Sequence, residues 1–364
     1  MAEADIRISA SFEAFQRPAQ SRAGRRIVRI ALSLGRWLGK LAVTLFGLVL
    51  VTFAMTRMAP IDPAIQLVGD HASQSSYQDA RAALGLDLPL PVQFWRYLVM
   101  LVHGDLGLAQ STGQPVATDI ARTFTATLEL ATAAIILGAL IGLGLGILAA
   151  MRSGGVLDGI IRVISLLGYS VPIFWLGLLM LLLFYARLHW LPGTGRMDIL
   201  YQYTMKQVTG FALIDSWLSG TPGAFKSAVT HLVLPTLVLA IYALAGICRL
   251  TRSAVLGELA QEYALTARAK GARPFRVVFV HVLPNIAGTL VTVVALAYAS
   301  LLEGAVLTET VFAWPGIGRY LTVAMFAGDT AAILGATLVI GTAFILLNSL
   351  TDFAVDQLDP RRGR

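Results

Sequence analysis

Apolar runs of membrane-spanning length recur along this chain, and they limit its fold more than any other feature. From Ser33 to Arg57 the sequence is apolar and helix-compatible. Five further runs follow, roughly Phe124 to Ala150, Val163 to Ala186, Val229 to Leu250, Ile286 to Thr308 and Ala331 to Phe353. A helix rises about 1.5 Å per residue, so about 20 residues cross a hydrocarbon core of about 30 Å. Inside hydrocarbon every backbone N–H and C=O needs an internal partner, and a helix supplies one. The expectation is an all-α integral membrane protein of six spans with both ends on one side. With 56% hydrophobic and 13% charged residues, the chain lacks the polar surface of an ordinary soluble domain. Pro172 and Pro235 fall inside two of the runs and are expected to mark kinks.

Basic residues are retained on the cytoplasmic side of a membrane, so their placement orients the chain. Eight precede the first span, Arg152 and Arg162 flank the second connection, and Arg249, Arg252, Arg268, Lys270, Arg273 and Arg276 fill the fourth. With Arg361, Arg362 and Arg364, nineteen of the 28 Lys and Arg residues lie on one side. Both termini and the fourth connection are therefore expected in the cytoplasm. The segment from Met1 to Lys40 is too long and too charged for the start of a signal peptide, and no A-x-A site follows it. The formal charge of +7 reflects this topology rather than nucleic-acid binding, because the arginines sit at the edges of apolar runs and no basic groove with interleaved aromatics occurs.

The outward connections are longer. Met58 to Arg122 exceeds what a hairpin between spans needs and must carry structure of its own. Within it Pro89 and Pro91 bound an amphipathic segment around Phe94, Trp95 and Tyr97, suited either to the interface or to capping the bundle. The connection from His189 to Ala228 is punctuated by Gly and Pro and reads as turns with a short helix.

One inward segment breaks the apolar pattern. In "EYALTARAKGARPFRVVFVHVLPN" (Glu262 to Asn285) a helix is expected from Gly257 to Lys270, stopped by Gly271 and prevented from continuing by Pro274. Ala260, Ala264 and Ala267 recur at helical spacing and would offer a low surface to another protein, while Glu262, Arg268 and Lys270 would set register. A plain solvated loop with retained positive charge explains the same residues. Elsewhere Gly138, Gly142 and Gly146 form two overlapping G-x-x-x-G steps, which suit close helix packing. Glu303 and Glu309 lie in or at the end of the fifth run, where a carboxylate costs at least about 2.5 kcal/mol at mid-bilayer. They either line a substrate path or are hydrogen-bonded structural groups. Trp314, in the turn that follows, is expected as an interfacial anchor.

Catalytic chemistry finds no footing. Cys248 is the sole cysteine and lies in an apolar run, the five histidines show no H-E-x-x-H or other close ligand spacing, and no Walker A sequence occurs. No catalytic residue, metal site or bound cofactor is expected on this chain.

The inward loop resembles the EAA loop of ABC importer permeases, a pattern of three residues, three spacers, glycine, nine spacers and I-x-L-P. Leu265, Thr266 and Ala267 fill the triplet, Gly271 is the glycine, and His281, Leu283 and Pro284 end it. The triplet LTA and His281 depart from the pattern, as is usual in the dipeptide, oligopeptide and nickel branch. That branch is also similar in "LGLDLPLPVQ", "GDLG", "ATLELA", "PIFWLGLL", "TETVFAWPGIG" and "LDPR", though Ile61 stands where it usually carries glycine. The resemblance implies a type I importer permease fold. Its parts would be a tail (1–32), a first helix (33–57), a periplasmic loop (58–122), a five-helix core (123–353) with the coupling loop at 251–285, and a tail (354–364). It implies that Glu262, Tyr263, Thr266, Ala267, Arg268, Lys270 and Gly271 engage a cytoplasmic ATPase. The implied partners are a second homologous permease, two ATPase subunits carrying ATP and Mg, a periplasmic substrate-binding protein and lipid of the bacterial inner membrane. The implied cargo is a dipeptide or oligopeptide, or else a nickel chelate or glutathione. A self-sufficient secondary transporter would show inverted repeats, which are not visible. An integral membrane enzyme would need a catalytic constellation.

Overall fold

The protein is described here by a computed structural model covering residues 22–58, 63–69 and 72–358. Most of the expected N-terminal tail, residues 59–62 with Ile61, His71 and the basic end at 359–364 lie outside the described residues. The chain divides into two units, one up to Phe46 and one from Gly47 onward. The first unit contains the opening part of α1 (Arg22–Met58), which carries an apolar stretch long enough to cross a membrane from Leu34 to Met55.

The second unit holds the rest. The first long connection carries α2 (Pro63–Val68), α3 (Gln74–Ala83) and α4 (Leu90–Val102). Phe94 and Tyr97 of α4 pack on Phe53 with ring centroids 5.2 and 5.8 Å away, while Trp95 is 67% exposed. The amphipathic segment thus caps a span with one face and leaves the other open. Next come α5 (Val116–Met151), α6 (Val156–Ser170) and α7 (Ile173–Arg187), whose last turns are π-helical. Then follow α8 (Ile199–Thr204), α9 (Ala212–Leu218), α10 (Ala224–Leu259), α11 (Glu262–Ala269), α12 (Pro274–Val311), α13 (Ile317–Ala327) and α14 (Thr330–Leu358).

Among the described residues, five helices are long and apolar enough to cross a membrane unbroken. The run expected as one span from Val163 to Ala186 is instead α6 and α7, bent by 98° at Val171 and Pro172. A residue before proline is biased out of the α region, and Val171 sits extended at ψ 126°, so the helix turns there. Pro235 behaves differently: α10 runs through it without a break. Proline inside a membrane helix is tolerated where neighbours satisfy the freed backbone, and Pro235 is buried among them.

The glycine stripe of α5 fixes the centre of the bundle. A Cβ on Gly138 would lie 3.0 Å from Ala243 Cβ, one on Gly142 3.1 Å from the Leu244 carbonyl, and one on Gly146 2.7 Å from the Cys248 carbonyl. Three successive turns of α5 therefore meet backbone of α10 directly. In lipid, where apolar burial gives no preference for helix over tail, this close van der Waals approach drives association. Around the seam Leu130, Leu239, Ala243, Ile247, Leu301 and Trp314 form the main core. Leu140, Leu166 and Leu182 stay exposed.

Candidate functional site

The loop around α11 closes one end of the bundle. Ala150 of α5, Val255 and Leu259 of α10, and Val277, Val278, Val282 and Ile286 of α12 form a cluster that includes Ala264 of α11. The helix expected over Gly257–Lys270 is broken at Ala260 and Gln261, so Gly257 belongs to α10 and α11 begins afresh at Glu262. Its stop follows the expected chemistry. Gly271 is left-handed at φ +83°, its N–H donates to the Arg268 carbonyl (2.9 Å), and the Ala272 N–H donates to the Ala267 carbonyl (3.1 Å). These two bonds make a Schellman cap. Pro274 then opens α12 at a position where its missing N–H costs nothing.

Of the three alanines expected to meet a partner, Ala260 is exposed, but Ala264 and Ala267 point the other way. Ala264 is fully buried and Ala267 packs beside it, so the small residues seat α11 on its own bundle. A helix laid across span ends needs small side chains on its inner face to come close. The outer face carries Glu262, Leu265, Thr266, Arg268, Ala269 and Lys270, all exposed, with Gly271 and Phe275 beyond. Tyr263 is half-buried and its hydroxyl donates to Glu258 Oε2 (2.5 Å), tying α11 back to α10.

At the opposite end of α5, one helical turn fastens three separate segments. The Ala126 carbonyl accepts the Trp314 indole N–H (2.9 Å), so Trp314 is buried in the bundle rather than anchored at the interface. Thr127 Oγ1 donates to Glu309 Oε1 and accepts the Ile317 N–H. Glu129 Oε2 accepts Arg196 Nε at 2.9 Å, and its Oε1 accepts the Leu213 N–H at 2.7 Å. Arg196 also donates to the Gly210 carbonyl (2.8 Å) within its own connection, so its bond to Glu129 pins the segment between α7 and α10 onto α5.

Glu309 therefore does not line an open path. It is fully buried, receives Thr127 and the Arg319 N–H (2.9 Å), and would collide with any side chain at Gly316. It holds the turn between α12 and α13. Glu303, six residues earlier, stays exposed on α12 beside Ser300, Gly304 and Leu307.

Glu129 and Asp158 are among the buried carboxylates that escaped the sequence reading. Glu129 stands alone in an apolar run, and that isolation was the available signal; its partner Arg196 sits in a Gly-rich loop 67 residues away. Asp158 accepts Arg252 Nε and Nη2 at 2.7 and 2.8 Å and the Gly154 N–H at 3.0 Å. It joins the start of α6 to the last turns of α10, just ahead of α11.

These features define a multi-pass, all-helical membrane protein with a short, sharply capped loop helix at one end of its spans. Residues 142–364 match the family described as binding-protein-dependent transport system inner membrane component, and residues 30–131 match the corresponding N-terminal family. The chain belongs to this family of binding-protein-dependent transport permeases. It is 44% identical over 324 residues to the probable D,D-dipeptide transport system permease protein DdpB of Escherichia coli K12, covering 89% of this chain and 95% of that protein. It is 43% identical over 329 residues to the di/tripeptide transport system permease protein DppB of Pseudomonas aeruginosa, covering 90% and 97%. Among solved structures, an inward-facing MetNI methionine ABC transporter aligns with 66% of this chain and 95% of that one, at 19% identity and a TM-score of 0.49.

Proposed function

We propose that this chain forms half of the translocation path of an ATP-driven importer for dipeptides or oligopeptides in the bacterial inner membrane. A second, homologous permease completes the path. Two cytoplasmic ATPase subunits hydrolyse ATP with Mg, and a periplasmic binding protein delivers the cargo. Peptide as cargo is supported by the relatives named for dipeptide and di/tripeptide transport. Both termini and α11 lie in the cytoplasm, as the nineteen basic residues on that side favour.

The observation that carries coupling is the outer face of α11. A helix seated on three spans by Ala264, capped at Gly271 and exposing Leu265, Thr266, Arg268 and Lys270 is shaped to dock on a soluble subunit and to pull on α10 and α12 together. Glu303 lines the water-filled path, where its carboxylate attracts the ammonium group of a peptide. A charge on a membrane helix is tolerated facing a wet cavity and costly facing lipid.

The test is a gentle detergent pull-down of the chain from its native membrane. Identified ATPase subunits whose hydrolysis is stimulated by peptides, given with their binding protein, are the expected result. Stimulation by a nickel chelate or glutathione alone would change the cargo. A chain that purifies without any ATPase would overturn the importer reading.

A further inference from the structure

At the end of the bundle remote from α11, a cavity of about 300 Å³ lies between the α7–α10 connection, the start of α5 and the turn before α13. This is the lower end of the size range of small-ligand pockets. Its lining charges are unequal. Arg196 is spent on Glu129 and the Gly210 carbonyl. Asp215 already accepts the Thr209 N–H and hydroxyl and the Gly210 N–H. Two guanidinium groups remain. Arg122 is exposed, and Arg319 gives one Nη1 bond (3.1 Å) to the Ala313 carbonyl; neither forms an ion pair among the described residues.

A half-enclosed site with two guanidinium forks outside any ion pair, whose one lining acid without an ion pair, Asp215, already accepts three hydrogen bonds, favours a carboxylate, whose two oxygens match a guanidinium fork. The remaining walls suit a ligand of variable shape. Gln202 donates to the Met197 carbonyl and keeps its own carbonyl to accept an N–H, Gln207 is exposed, and Met197 and Met205 form an adaptable apolar floor. Arginine for a chain terminus, an amide for a peptide N–H and methionine for differing side chains are the features a short peptide needs.

We propose that this cavity is a peptide entry site, in which Arg122 and Arg319 hold the free C-terminal carboxylate before the peptide passes inward. The inference rests on the peptide-import reading and adds a binding site to it. It also separates two stations, a cationic one for the carboxylate here and an anionic one for the ammonium at Glu303.

The experiment uses the assembled permease and ATPase complex in lipid nanodiscs, without binding protein, and follows Ala-Ala and its C-terminal amide by ligand-observed NMR. The free acid should bind about 10- to 100-fold more tightly than the amide, the worth of a charge-assisted hydrogen bond. Arg122→Gln should erase that preference and Arg122→Lys should keep part of it, with co-purification of the ATPases reporting assembly. Equal binding of acid and amide in the unaltered complex would overturn the proposal. So would an Arg122→Gln variant that keeps the preference, or one that spares peptide binding and weakens only capture of the binding protein. In that last case the carboxylate belongs to an acidic side chain of the binding protein. Uptake into proteoliposomes separates the two readings: uptake without acid preference at this site sinks the entry site alone, and no uptake of any peptide sinks the import reading.

Discussion

Gly271 is a residue at which the proposed coupling can be tested while leaving the fold alone. Nothing lies within 4 Å of a Cβ placed there, so Gly271→Val meets no steric block. Its penalty is conformational, because φ +83° is left-handed and a β-branched residue there costs about 1–2 kcal/mol or more. Against a typical stability of about 5–15 kcal/mol the bundle survives, but the capped loop geometry becomes several-fold rarer. Gly271→Val should insert into membranes at normal levels, lose its ATPase partners in a pull-down and fail to transport; normal transport would refute the coupling role. Asp215 gives a second residue-scale outcome. Burial pushes its carboxyl up, but donors from Thr209 and Gly210 outweigh this and hold it below its ordinary value. A depressed folded pKa gives stability that is present above the unfolded value of about 3.9 and is lost as pH falls through the folded one. Hydrogen exchange in residues 205–215 should rise as pH falls below about 4, once corrected for intrinsic rates, and Asp215→Asn should exchange faster already at neutral pH. The stop at Gly271 was legible because glycine and a following proline are local signals. Asp215, Glu129 and Asp158 were not, since their donors come from a turn geometry or from residues distant in sequence.

Between elements, the α5–α10 seam depends on missing side chains. Gly146→Leu must displace the Cys248 carbonyl and Thr251, and overpacking of this kind costs about 1–3 kcal/mol or more. Gly144 lies on the same helix with nothing within 4 Å, so Gly144→Ala should be neutral or slightly stabilising. Thermal unfolding in detergent should separate the two; an unchanged midpoint for Gly146→Leu would mean that the helices are not in this contact. The seam could be read from G-x-x-x-G spacing, because the pattern states directly which face is flat. The two prolines could not be told apart in the same way. Pro172 turns the chain by 98° and Pro235 leaves α10 unbroken, and the difference lies in the packing around each rather than in the residue. The alanines of α11 carried the same ambiguity, since small residues allow close approach without saying from which side.

At the scale of the whole molecule, the proposed coupling requires a push on α11 to reach the bent helix pair α6 and α7. The Asp158–Arg252 pair lies on one covalent and ionic route: α11 follows α10 directly, Arg252 sits in the last turns of α10, and Asp158 sits in the first turn of α6. The pair is bidentate and Asp158 is almost fully enclosed, so the geometry of the two helix ends is fixed more tightly than by apolar contact alone. If the pair only stabilised the fold, Arg252→Gln would lower assembly, ATPase activity and transport together. If it conveys motion, Arg252→Gln should assemble with its ATPases and hydrolyse ATP while moving fewer peptides per ATP. The exchanged variant, Asp158→Arg with Arg252→Asp, should recover part of that ratio. The ratio of uptake to hydrolysis in proteoliposomes measures this directly. Parallel loss of both activities, with no recovery on exchange, would reduce the pair to a structural tie. Motion would then have to reach α6 through the apolar contacts of Ile161 with Ala149 and Cys248.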